Sequence, residues 1–470
     1  MNQKIGIIGA GPAGLTAAYK LSKSGHQVEL FEAAGQVGGL SRTFELWGQK
    51  VDLGPHRFFS ADPRVNDVWL EVAGDDYELV DRLTRILYQK KFFHYPLRVG
   101  NVLSNLGIFE ACRCVLSYLW ETIFPRHREG SFEDWVVSRF GRRLYEIFFK
   151  TYSEKLWGIS GKELDEDFAA QRIKKLSFLE AVKNALLQGR GNKHKSLVDQ
   201  FAYPVGGTGQ IYERMAEVFQ ENGGILHLST PVTRLVKVDQ RIVGLETENS
   251  ELHEFDHIIS TMPLTLAVRS LGDNPLLVEQ SCQALRFRNT VLVYLRVDQV
   301  DLFEDNWLYI HSPDIQCGRI TNFRNWVPQL YGDDDKTILA LEYWCNESDP
   351  EWSREDEEWG RIAREDFAKT GLTNGAEILG HKVIRINRCY PIYERGYSEH
   401  VDIIRKYLGT FDSLQVIGRY GSFKYNNQDH SILMGLLAAE NIVNGKEHDL
   451  WSINTDYEYQ EKSLVSKTGL

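Results

Sequence analysis

Two groups of residues in this chain of 470 residues have types and spacing suited to chemistry. The first is Gly9-Ala10-Gly11-Pro12-Ala13-Gly14, set between the apolar run Lys4 to Ile8 and an Ala/Leu-rich run to Ser24. In such a turn the first glycine permits a tight bend, the second lets the backbone approach phosphate, and the third lets a helix pack on a strand. The free N–H groups at the helix start, at the positive end of its dipole, suit a pyrophosphate. A second predicted strand, Gln27 to Phe31, ends at Glu32, where a carboxylate can accept hydrogen bonds from a ribose. The second group is Phe148, Phe149, Tyr152 and Trp157, followed by Arg172. Taken alone, these read as an aromatic helix face with a surface arginine.

The elements that must position these groups follow an α/β pattern that starts, is interrupted and returns. The nucleotide-binding domain is predicted as discontinuous, over 1–90, 201–263 and 396–448. Residues 91–200 read as mainly helical, with amphipathic runs Ser131 to Tyr152 and Leu176 to Leu187. Residues 264–395 hold strands such as Thr290 to Leu295 and Thr337 to Trp344, which suggest a second sheet. A closing helix is predicted over Ser431 to Asn444, with a polar tail at 449–470. The loop Gln188 to Lys193 is polar and contains glycine.

Composition is that of a soluble globular chain, with 43% hydrophobic and 25% charged residues. A net charge of −11 argues against nonspecific nucleic-acid binding. The start of the chain shows no signal-peptide core, and no stretch is apolar enough to span a membrane. The closest, Ile108 to Phe124, carries Glu110, Arg113 and Glu121 and reads as an amphipathic helix, with a buried face favoured over peripheral membrane contact. Six cysteines without a CxxC pair and thirteen histidines without a HExxH cluster predict no metal. Scattered thiols point to a cytoplasmic protein.

Beyond Glu32, the residues Gly38, Gly39, Leu40, Ser41 and Arg42 complete a Glu-x5-Gly-Gly-x2-Arg pattern. This resembles the two-dinucleotide-binding-domain flavoproteins and implies FAD. Tyr152-Ser153-Glu154-Lys155-Leu156-Trp157-Gly158, then Lys162-Glu163-Leu164 and Arg172, resembles the substrate-site signature of the UDP-galactopyranose mutases, within the broader amine oxidase and protoporphyrinogen oxidase superfamily. The resemblance extends over nearly the whole chain. It takes in Gly54-Pro55-His56-Arg57, Tyr203-Pro204-Val205-Gly206-Gly207, Cys317-Gly318-Arg319-Ile320, Tyr390-Pro391, and Gly418-Arg419 through Tyr425 to Ser431.

The resemblance implies a Rossmann-like FAD domain with an inserted helical domain and a β-sheet substrate domain. It implies pyranose–furanose interconversion of a nucleotide sugar, with reduced flavin N5 attacking the anomeric carbon and NADPH or NADH as reductant. Arg172 and Arg319 would hold the diphosphate, joined by Tyr152, Tyr390 and Tyr425. Phe148, Phe149, Trp157 and Asn427 would line the substrate, and His56 would lie beside the flavin. FAD contacts are implied for Gly9, Gly11, Pro12, Ala13, Gly14, Glu32, Gly38, Gly39, Leu40, Ser41, Arg42, His56, Val232, Gly418, Arg419, Gln428, Asp429 and Ser431. A role in polysaccharide biosynthesis and a homodimer are compatible with this reading. The family's Tyr-Thr-x-Lys-Gln-Trp is Tyr-Ser-Glu-Lys-Leu-Trp here, Arg57 is an addition, and Glu342-Tyr343-Trp344-Cys345 is bulky, so the sugar and nucleotide stay open. The competing reading is an FAD-dependent oxidoreductase of the amine oxidase type.

Overall fold

The computed structural model describes residues 2–95, 97, 99–125, 129–168 and 200–454. The chain divides into two compact units, one of residues 1–79, 201–286 and 397–470, the other of 80–200 and 287–396.

In the first unit, five parallel strands run in the order Leu414–Val416, His257–Ser260, Lys4–Ile8, Gln27–Phe31 and Ile225–His227. From Ile5 to Ile8 the central strand is apolar because parallel sheets are covered on both faces. The helices Pro12–Lys23, Gly209–Glu221 and Gln428–Asn444 contribute to the same core, through residues such as Leu15, Leu21, Ile211, Phe219, Ile432 and Leu436. Pro12 sits at the first helical position, where its missing N–H costs nothing. The closing helix begins at Gln428, three residues before the predicted start, because Asn427 and His430 form a reciprocal cap at its N-terminus.

Two glycines set the packing of the first helix. A Cβ on Gly14 would lie 1.9 Å from the Gly9 carbonyl oxygen, and one on Gly435 would lie 2.4 Å from that of Ala13. Both obstacles are backbone and cannot swing away. Gly435→Val is therefore expected to destabilise the first unit by about 1–3 kcal/mol, as overpacking does. A thermal melt together with the flavin content of the purified protein checks this, since the displaced helix carries the phosphate-binding turn.

The second unit is built on a seven-stranded sheet in the order Ile378–Pro391, Phe287–Val297, Thr337–Cys345, Arg319–Asn322, Trp307–Ile310, Thr84–Tyr88 and Lys91–His94. All its pairings are antiparallel except Thr84–Tyr88 with Trp307–Ile310. The helix Asp356–Thr370 buries Trp359, Ile362, Ala363 and Phe367 in the core beside this sheet.

The α/β class expected from sequence is the one observed, with two corrections. Helical 91–200 and β-rich 264–395 do not form separate domains. Strand Thr84–Tyr88 pairs with Trp307–Ile310 and carries Lys91–His94 into the large sheet, so the two stretches share one unit. Residues 264–286 belong instead to the first unit, where Tyr407 Oη donates to Asn274 Oδ1 at 2.9 Å. The second correction concerns Ile108–Ile123. It is helical, but its buried residues are Ala111, Cys114 and Glu121, while its large apolar residues are exposed. Leu176 to Leu187 and the 188–193 loop lie outside the described residues.

Candidate active site and cofactor cradle

In the first unit the glycine turn folds against a second loop. The Gly9 N–H donates to the Phe31 carbonyl at 2.7 Å and the Gly38 N–H to the Ala10 carbonyl at 2.7 Å. Gly38 and Gly39 have positive φ of 101° and 57°, and a Cβ on Gly39 would meet the Gly11 Cα at 3.0 Å. The two glycine loops therefore approach more tightly than most side-chain contacts, at the start of the Pro12–Lys23 helix. Gly418 closes on the same place, where a Cβ would lie 3.1 Å from the Ala13 Cβ.

Glu32 is held by its neighbours: Oε2 accepts from the Ala10 N–H at 2.7 Å and Oε1 from the Ala34 N–H at 2.9 Å. Each carboxylate oxygen retains a second lone pair for a ribose hydroxyl. Glu32→Ala is expected to weaken dinucleotide binding about ten- to hundredfold, the range for losing a hydrogen bond to a charged group. Fluorescence titration of apoprotein with FAD would measure it, and unchanged affinity would remove Glu32 from the ribose site.

The closing helix supplies further polar groups to this unit. Gln428 accepts from Tyr212 Oη at 2.6 Å and Thr208 Oγ1 at 3.2 Å, and donates to the His56 carbonyl at 3.2 Å. His56 Nδ1 lies 3.1 Å from the Gly54 carbonyl oxygen, and Arg57 lies over the Phe59 ring. Arg419 donates to the Asn426 carbonyl at 2.8 Å and sits 4.3 Å over the Tyr425 ring. Asp429 is buried, with Oδ1 3.2 Å from His430 Nδ1 and Oδ2 without a hydrogen-bond partner among the described residues. A close-approach glycine cradle, a ribose acceptor and an unsatisfied buried carboxylate oxygen fit a bound dinucleotide. Val232, paired with Thr247 in a three-stranded antiparallel sheet, follows Thr230, whose N–H donates to the Glu32 carbonyl at 2.8 Å.

The same unit holds a cluster that sequence spacing did not suggest. His227 Nε2 and His253 Nδ1 lie 3.0 and 3.3 Å from Glu29 Oε2, while Lys4 Nζ lies 2.9 Å from Oε1. These partners, led by Lys4, overcome the opposing effect of burial and hold the Glu29 carboxyl below the usual range.

In the second unit, Tyr152, Trp157, Arg319 and Tyr390 come together although the sequence scatters them. Arg319 is opposite Glu342 in the antiparallel register, and its Nε and Nη2 donate to the two Glu342 oxygens, each at 2.6 Å. Burial opposes the Arg319 charge, but Glu342, Tyr390 and Tyr152 outweigh it and hold the guanidinium protonated. Tyr152 meets Trp344 edge-on at 5.8 Å, and Tyr390 meets both Trp344 and Trp157 edge-on at 6.3 and 6.1 Å. Gly318 admits this packing, since a Cβ there would fall 1.8 Å from the Trp344 ring.

Phe148 and Phe149 pack on other rings of the second unit. Phe148 packs on Phe93 at 5.1 Å and Phe149 on Phe140 at 5.5 Å. Glu146–Lys150, which carries both Phe148 and Phe149, is a π-helical turn. Tyr152 stacks on His311 at 4.9 Å. Burial, with the Lys155 charge nearby, pushes the His311 pKa down to about 3, so the ring is neutral. Lys155 donates to the carbonyls of Ile310, Ser312 and Cys317 at 3.1, 2.9 and 3.4 Å, and burial lowers its pKa to about 8.

Sequence reasoning missed Glu342 as the partner of Arg319. A lone acid in the fully buried strand Thr337–Cys345 was the available signal. Arg172 lies outside the described residues.

The first unit has the architecture of a dinucleotide-binding flavoprotein. The family model "Flavin containing amine oxidoreductase" matches residues 12–377, and the chain belongs to that family. It is a flavin-dependent enzyme of the amine oxidase superfamily, and FAD is the cofactor that the family and the cradle support. Among similar proteins, human "Amine oxidase [flavin-containing] B" is 26% identical over 292 residues, covering 57% of this chain and 52% of that protein. A "Probable UDP-galactopyranose mutase" of Klebsiella pneumoniae is 25% identical over 175 residues, covering 35% and 43%. The chain thus spans about half the length of the curated relatives it matches. The solved structure of reduced UDP-galactopyranose mutase shares the fold, with a TM-score of 0.84 at 21% identity over 97% of this chain and 98% of the other.

Proposed function

We propose that this chain isomerises a nucleotide sugar between pyranose and furanose rings, in the manner of a UDP-galactopyranose mutase. The observation that carries the reading is the half-buried Arg319 beside Tyr152 and Tyr390, with Trp157 and Trp344 packed on those tyrosines, in the second unit. Likeness of fold to that mutase along nearly the whole chain supports it. Bound and reduced FAD supplies the nucleophile, with NADPH or NADH as the reductant.

The chain's own residues then bind and orient. The Arg319 guanidinium uses Nε and Nη2 on Glu342, which leaves Nη1 for a phosphate oxygen, with Tyr152 and Tyr390 as its aromatic neighbours. This differs from the expected pair of free arginines. Glu342 neutralises Arg319, so phosphate is recognised here by directed hydrogen bonds more than by net charge. Trp344 gives a flat apolar wall for a nucleoside or a sugar, with Trp157 fully buried beside Tyr390. The arrangement would hold the released diphosphate close for recapture, a proximity effect.

The neutral pair also favours a second reading, an oxidoreductase acting on an uncharged or amine substrate, in line with the likeness to amine oxidase B. One experiment separates them. Dithionite-reduced protein is incubated with UDP-, GDP- and dTDP-hexopyranoses, and the furanose isomers are sought by anion-exchange chromatography. A furanose product formed only by reduced protein supports the isomerase. Oxygen uptake with an amine, and no nucleotide-sugar turnover, supports the oxidoreductase.

A further inference from the structure

The helix Ile108–Ile123 in the second unit is turned inside out. On a helical wheel, Ile108, Phe109, Cys112, Val115, Leu116, Leu119, Trp120 and Ile123 occupy an arc of about 140°. That arc faces solvent: Ile108 is 84% exposed, Phe109 79%, Leu116 65%, Trp120 59% and Ile123 65%. Phe124 continues it, with its ring 4.7 Å from that of Trp120. The opposite, more polar arc is fastened to its own unit. Glu110 pairs with Arg143, Ser117 Oγ accepts from the Arg143 N–H at 3.1 Å, and Glu121 is buried. Gly141 lets the next helices press on this arc, since a Cβ there would meet the Tyr118 backbone at 2.7 Å. Turning the apolar arc inward would break the Glu110–Arg143 ion pair, so its exposure is built into the packing.

Charge identifies what covers it. Residues 82–128 hold eight Lys or Arg and two Glu, a net of +6 in a chain of net −11. The helix itself carries Glu110, Arg113 and Glu121, so the positive charge lies in the residues that flank it, 82–107 and 124–128, one of the basic stretches of an acidic protein. A broad apolar stripe bearing Trp and Phe within a cationic segment matches the interface of an anionic bilayer.

We propose that Ile108–Phe124 is an interfacial helix that lays this enzyme on an anionic lipid surface. It lies in the headgroup region and does not span the bilayer. Its 16 residues reach about 24 Å, short of the roughly 30 Å hydrocarbon core. Gly107, at φ 80°, also turns the preceding helix 117° away from it.

The test is flotation of the full-length holoprotein with phosphatidylcholine vesicles, with and without phosphatidylglycerol, at low and high salt. Binding is expected to need the anionic lipid and to weaken with salt. L116E/W120E is expected to lower it about tenfold or more, because two side chains that would enter the acyl boundary become charged. Flavin content and far-UV circular dichroism of the variant, expected unchanged, exclude misfolding, and a milder W120S variant is expected to show a partial loss. Failure to float with anionic vesicles overturns the proposal. So does binding that the folded variants retain. So does a dimer in size-exclusion chromatography that L116E/W120E abolishes in the absence of vesicle binding, which would make the face a contact between two copies of this chain.

Discussion

Arg319→Ala is expected to cost about 3–5 kcal/mol of stability, the penalty for stripping one partner from a buried ion pair. Glu342, 2% exposed in its side chain, would be left as a buried carboxylate without its guanidinium. Loss of ligand binding in that variant alone would be ambiguous, since the strand holding Tyr343 and Trp344 would be disturbed. The double variant Arg319→Met/Glu342→Leu resolves this, because replacing both charges by apolar groups of similar size removes the uncompensated charge. It is expected to recover most of the stability in denaturant titrations and to retain FAD. Under the proposed function it nevertheless fails to bind nucleoside diphosphate in calorimetry. Binding by the stable double variant would take Arg319 out of phosphate recognition and return the pair to a purely structural role.

The second large effect is a pH dependence centred on Asp52. This residue is fully buried in the first unit, where Oδ1 accepts from Thr43 Oγ1 at 2.6 Å and the Thr208 N–H at 3.3 Å, and Oδ2 accepts from Tyr203 Oη at 2.6 Å. Burial pushes its pKa up to about 7, with the three donors opposing the rise. In the unfolded chain an aspartate titrates near 3.9. Between these values the folded protein holds a proton that the unfolded chain has released, so stability falls as pH rises from about 4 to about 7. That interval corresponds to roughly 4 kcal/mol. Wild-type holoprotein is therefore expected to be more stable to urea at pH 5 than at pH 8, once other groups are subtracted by comparison with Asp52→Asn. The asparagine keeps the shape without the titration and is expected to flatten this part of the profile. Equal pH dependence in the two proteins would mean that Asp52 is ionised throughout.

These residues show where local pattern suffices and where it does not. The phosphate-binding turn was legible because its requirements are local. Gly9, Gly11 and Gly14 answer to the bend, the backbone approach and the helix packing within six residues, and Glu32 follows at the end of the next strand. The scattered candidates Tyr152, Trp157, Arg319 and Tyr390 were legible through family resemblance, and the second unit does gather them. The pairing of Arg319 with Glu342 was not legible, because it depends on the register between two strands 23 residues apart in sequence. Register is fixed by how a whole face packs. The π turn at Glu146–Lys150 was not legible for a different reason, since helical periodicity assumes 3.6 residues per turn.

The helix Ile108–Ile123 carries the same lesson. Its amphipathic pattern was plain in the sequence, but a pattern states only that two faces differ. Which face turns inward was decided by Arg143 and Gly141, from elements that follow it, and no count of apolar residues contains that information. By itself the sequence determined the nucleotide-binding turn, the α/β class and the discontinuity of the first unit, since each follows from short-range periodicity and turn chemistry. Only the tertiary structure decided the neutralised arginine, the elevated Asp52 and the outward apolar helix. Each of those depends on burial and on partners from distant segments, which are properties of packing.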